Sequence, residues 1–109
     1  MTAPEDDVLE AQRRVAAFLA ENDLEAPPAY RLLDLHSELG ELAKEVAEST
    51  GYGNDPDDVE VATDEVGDAL FALLAFSESV GIDADEALRV ALEKYERRIE
   101  ESGAPSSGE

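Results

Sequence analysis

Hydrophobic residues recur along most of the chain at the three- and four-residue spacing of amphipathic helices. Val8, Ala11, Val15, Phe18 and Leu19 mark a first helix over about Glu5 to Glu21, with Thr2 and Glu5 as a candidate capping box. Polar residues and two prolines break the pattern between Asn22 and Pro28. In a second helix, about Ala29 to Ser49, Leu32, Leu35, Leu39, Leu42 and Val46 form a narrow seam. The glycine-rich stretch Thr50 to Asp55 reads as a loop. A third helix is expected from Pro56 to about Val80, with Asp55 as N-cap, proline in the first turn and Gly81 as the stop. Asp83 and Glu86 open a fourth, which runs to about Glu101 and shows Leu88, Leu92, Tyr95 and Ile99 on its apolar face. The pattern predicts one all-α domain over residues 1–101, then a Gly-, Ser- and Pro-rich tail, 102–109, expected to be disordered.

Every residue from Ala69 to Phe76 is apolar, so the third helix has no face there for water. Three other short helices can hardly enclose it. Self-association through a second helical seam is therefore expected, against the alternative of a monomer wrapped around this helix.

Charge changes the picture next. The 109 residues include 8 basic and 28 acidic side chains, a net charge of −20, and no cysteine. Disulfides and cysteine metal sites are excluded. So negative a surface repels phosphate backbones, which argues against nucleic-acid binding. The acids are spread along the chain, a pattern that fits a protein adapted to molar salt. The first residues are acidic where a secretory signal is basic, and no apolar run is long enough to span a membrane, so a cytoplasmic protein is expected.

Within this acidity one pattern repeats. The second helix carries Glu38-Leu39-Gly40-Glu41 and the third Glu65-Val66-Gly67-Asp68. Carboxylates three residues apart share a helix face and repel each other. Each pair also encloses a glycine, which costs about 0.8–1.0 kcal/mol in a helix interior. A bound cation would offset the repulsion, and close approach of a backbone or ligand would explain the glycines. Four convergent carboxylates suit a hard ion such as Mg²⁺ or Mn²⁺. The competing reading is a solvated acidic face, which Asp34, Glu45 and Glu48 would extend along the second helix.

Other metal sites fail on spacing. The only histidine, His36, has Leu33 three residues before it, so the Glu-x-x-His of a di-iron bundle is missing. An EF-hand starting at Asp55 would need glycine at Glu60 and glutamate at Val66.

The order Glu38-x-x-Glu41, 23 intervening residues, then Glu65-x-x-Asp68 resembles the signature of the MazG-like all-α nucleoside triphosphate pyrophosphohydrolases. The segments LLDLHSELGELAKEV, STGYG, DEVGDALFALLAF and GIDADEALRVALEKYERR are similar to that family over roughly Tyr30 to Arg98. The resemblance implies a four-helix domain that assembles as a dimer or dimer of dimers. It implies that Glu38, Glu41, Glu65 and Asp68 bind Mg²⁺, which holds a nucleoside triphosphate while water cleaves it to nucleoside monophosphate and pyrophosphate. Glu41 or Glu45 would orient or deprotonate that water. Lys94, Arg97 and Arg98 stand where the family has basic residues near the phosphates. Ser37 replaces a further acid that many members carry. Two alternatives stand beside this reading: the related phosphoribosyl-ATP pyrophosphohydrolase of histidine synthesis, and a non-catalytic acidic helical dimer that regulates a partner.

Overall fold

The computed structural model describes residues 7–105. Among them the chain forms four helices and no strand: α1 Asp7–Glu21, α2 Pro28–Ser49, α3 Thr63–Ser79 and α4 Ala84–Ser102. The expected capping box of Thr2 and Glu5 lies outside the described residues, as do residues 106–109 of the expected tail.

Local chemistry sets most of the boundaries. Pro28 opens α2, where its fixed φ suits a helix and its missing N–H would have no partner in any case. The Asp83 carboxylate caps α4 by accepting from the backbone N–H groups of Asp85 and Glu86 at 2.9 and 3.1 Å. Gly103, at φ 80°, ends α4 in the left-handed region and returns its N–H to the Ile99 carbonyl.

The start of α3 departs from the sequence expectation. Asp55 and Pro56 do not open it; residues 51–62 form a loop, and the helix begins at Thr63. Pro56 lies in a turn closed by the Asp58 N–H on the Asp55 carbonyl. Beyond that turn, α2 claims the donors a helix would need. The Glu60 N–H donates to Ser49 Oγ at 3.0 Å, and the Ala62 N–H to Glu45 Oε1 at 3.2 Å. The loop is thereby sewn along the C-terminal end of α2, which delays α3 by about two turns.

α2 and α3 run antiparallel as the principal pair, α1 packs on another face of α3, and α4 packs chiefly on α1. Phe18 and Phe71 meet edge to face across α1 and α3, with centroids 5.8 Å apart. Gln12, only 3% exposed, locks the α3–α4 corner to α1. Its amide nitrogen donates to Glu78 Oε1 and the Ile82 carbonyl at 3.0 and 2.8 Å, and its oxygen accepts the Ala84 N–H at 2.7 Å.

The core is thin. Its buried apolar residues are Leu19, Ala69, Ala72, Leu74 and Ala75. Within the all-apolar stretch Leu74 is 3% exposed, yet Leu70 and Leu73 remain 52% and 46% exposed. Three of the five α2 seam residues, Leu32, Leu39 and Val46, are also exposed. So is the whole expected apolar face of α4, since Leu88, Leu92, Tyr95 and Ile99 are each 40–50% exposed. The radius of gyration is 16.7 Å, against roughly 13 Å for a compact domain of this size.

Candidate metal centre

The antiparallel pairing of α2 and α3 runs in a register that sets Glu45 beside Ala62 and Glu38 beside Asp68. It thus brings three of the four motif acids together. Glu38, Glu65 and Asp68 each offer one carboxylate oxygen, all within 4.8 Å of one another. Oxygens on opposite sides of a bound Mg²⁺ lie about 4.1 Å apart, so a shift of less than about 1 Å would bring the trio onto one ion.

Glu41, the fourth acid, stands beside this group and not in it. Its charge acts on both Glu38 and Glu65. Glu45 has a different task, since its carboxylate accepts the Ala62 N–H at the entry to α3 and so holds the turn that carries Glu65.

The electrostatics are those of a site waiting for positive charge. Glu38 Oε2 and Glu65 Oε2 are buried without a hydrogen-bond partner. Burial raises the pKa of Glu38 above the ordinary glutamate value, and the charges of Glu41, Asp68 and Asp34 raise it further. Glu65 is raised likewise, first by burial and then by Glu45, Glu41, Asp64 and Asp68. A buried anionic oxygen with no donor is expensive, and a hard cation is the ligand that suits a set made only of carboxylates. The residues present fit such an ion.

A cavity of about 390 Å³ opens beside the trio, lined by Arg31, Asp34, Glu38 and Asp68 over Phe71, Ala72 and Ala75. Lys94, Arg97 and Arg98 are not brought to it. They stay on α4, where the Lys94 ammonium lies 5.1 Å from the Tyr95 ring centre and Arg98 donates to the Pro105 carbonyl at 3.3 Å. Arg31 does line the cavity, and the sequence signal for that placement is its position in the α2 register. Residues 31, 34, 38, 41 and 45 fall on one helical stripe.

The glycines answer differently from the expectation. A Cβ on Gly40 or Gly67 would meet nothing within 4 Å, so close helix–helix approach inside this chain is not what they provide. Gly67 instead borders an open groove of about 450 Å³ between α1 and α3, beside Phe18 and Phe71.

Comparison with curated proteins and with solved structures finds no significant match. The family model described as the MazG nucleotide pyrophosphohydrolase domain matches residues 28–102, which run from the first residue of α2 to the last of α4 and hold both acid pairs. On that match, over more than half of its length, the chain belongs to the MazG nucleotide pyrophosphohydrolase domain family.

Proposed function

We propose that this protein hydrolyses nucleoside triphosphates to nucleoside monophosphate and pyrophosphate, with Mg²⁺ or Mn²⁺ at the Glu38–Glu65–Asp68 site. The observation that carries this reading is the trio itself: three carboxylate oxygens within 4.8 Å, beside two buried glutamate oxygens that no protein group satisfies. Glu38, Glu65 and Asp68 would hold the ion, which when bound would supply charge neutralisation for the triphosphate and activation of water. Glu45 positions Glu65 through its bond to Ala62. That leaves Glu41, close to both halves of the trio and outside it, to accept the proton of the attacking water. No serine or cysteine nucleophile is needed.

Self-association belongs to the same proposal. The accessible surface of 7938 Å² and mass of 11.7 kDa compare with roughly 5,900 Å² for a compact monomer of that mass. A second copy laid on α2, α3 and α4 would cover the leucines that one chain leaves wet. It would also offer Lys94, Arg97 and Arg98 a route to the phosphates from the neighbouring subunit, since none of them lines the cavity of its own chain.

The test is a panel of nucleoside triphosphates and phosphoribosyl-ATP, assayed for pyrophosphate with Mg²⁺, with Mn²⁺ and with chelator. Metal-dependent pyrophosphate release from a nucleoside triphosphate is expected, and Glu41→Gln and Asp68→Asn should each abolish it while remaining folded. Preference for phosphoribosyl-ATP would move the protein to the histidine pathway. Activity that survives both substitutions would remove the site, and no turnover together with no calorimetric metal binding would favour the regulatory dimer.

A further inference from the structure

The acidic cavity contains one cation. Arg31 lines it together with Asp34, Glu38 and Asp68, and Glu38 follows Arg31 by seven positions on the same face of α2, a rise of about 10 Å. From Pro28 to Ser79 the only other Lys or Arg is Lys44, which is exposed and does not line the cavity. Among the described residues the single ion pair is Arg89 with Asp85, so Arg31 neighbours carboxylates without pairing to any of them. Its guanidinium donates to the Leu24 carbonyl in the α1–α2 connection. That bond fixes the head group and leaves most of its five donors uncommitted.

We propose that Arg31 is a substrate-binding residue that receives the phosphate chain of the metal-bound nucleotide. The inference rests on the metal site described above. A cation held by Glu38, Glu65 and Asp68 brings phosphate oxygens to one end of the cavity, and the triphosphate still carries excess negative charge next to Asp34. A guanidinium further along the same helical stripe meets that charge with a planar fork of donors, the geometry that pairs with phosphate. The Leu24 bond engages one of its donors and leaves the others for the substrate. If its only function were to tie down the α1–α2 connection, Arg31 would affect stability and leave phosphate affinity alone.

Two measurements at one fixed salt concentration test this. In Arg31→Gln the KM should rise about tenfold, and calorimetric affinity for inorganic tripolyphosphate with Mg²⁺ should fall by a similar factor. Mg²⁺ binding without phosphate should not weaken, because a like charge has been removed. KM and tripolyphosphate affinity within twofold of the wild type, whatever the melting temperature, would overturn the proposal. The second measurement uses the unaltered protein and so survives misfolding of the variant. Modification by phenylglyoxal, mapped by mass spectrometry, should be suppressed at Arg31 by Mg²⁺ with tripolyphosphate and unchanged at Arg89. Equal modification of Arg31 with and without the ligand refutes the contact. A wild type that binds Mg²⁺ and releases pyrophosphate while Arg31 proves inert sinks only this inference, whereas a wild type that binds neither metal nor Mg²⁺–tripolyphosphate sinks the site as well.

Discussion

Ionised Glu38 and Glu65 each keep an oxygen away from water and from every donor, next to further carboxylates. Their raised pKa values mean that the folded protein binds these protons more tightly than the unfolded chain does. In the metal-free protein the cost to stability is therefore present above the raised folded values, and it disappears as pH falls through them towards the ordinary value of 4.5. Glu65→Gln, melted in chelator, should be more stable than the wild type at pH 7, and the advantage should vanish as the pH approaches that value. With Mg²⁺ present the order should reverse, because the wild type alone gains from binding the ion; the same order in both buffers would count against a metal at Glu65. The paired acids were legible in the sequence because three-residue spacing on a helix dictates a shared face. Gln12 was not legible. It is one polar residue on a helix flank, and only the fold brings Glu78, Ile82 and Ala84 to its amide. Gln12→Leu should cost about 1–3 kcal/mol for each buried backbone group left without its partner, measured as a lower midpoint in urea.

Among the elements, α2 and α4 follow their local signals and α3 does not. Pro28 and Asp83 act through bonds, or missing bonds, within a few residues of themselves, so sequence suffices to place them. Asp55 and Pro56 carry an equally good local signal, but Ser49 and Glu45 of α2 capture the Glu60 and Ala62 donors and the helix waits until Thr63. The delay bears on the candidate site, because it ties the first turn of α3, and with it Glu65, to the helix that carries Glu38. The helical glycines are a second case in which the fold corrects a local argument. With open space around the Cβ position, Gly40→Ala should raise stability by about 0.8–1.0 kcal/mol through helix propensity. Thermal melting checks this, and a fall would reveal a surface that packs against the glycine from outside the chain.

For the whole molecule the exposed leucines set the test of assembly. Leu73 is 46% exposed and Leu74 only 3%, so the two neighbours separate assembly from folding. Leu73→Glu should yield a folded, smaller species by light scattering, whereas Leu74→Glu should unfold the chain, because a buried charge has no partner there. A wild type that is already monomeric at micromolar concentration would end the argument for a subunit interface on α3. The net charge acts on the same scale. With 28 acids in the sequence and one ion pair among the described residues, self-repulsion is nearly uncompensated, and molar KCl should raise the melting temperature by screening it. A flat or falling dependence in circular dichroism would argue against adaptation to salt.

Helix number, the proline break before α2, the cap at Asp83, and the two acid pairs followed from the sequence because each depends on bonds or spacings within about one helical turn. The late start of α3, the grouping of Glu38 with Glu65 and Asp68, the bond from the Ala62 N–H to Glu45, and the placing of Arg31 and Asp68 on one cavity depend on the register between α2 and α3. That register is a tertiary quantity, set by hydrogen bonds and packing between residues up to several turns apart, and no local spacing encodes it.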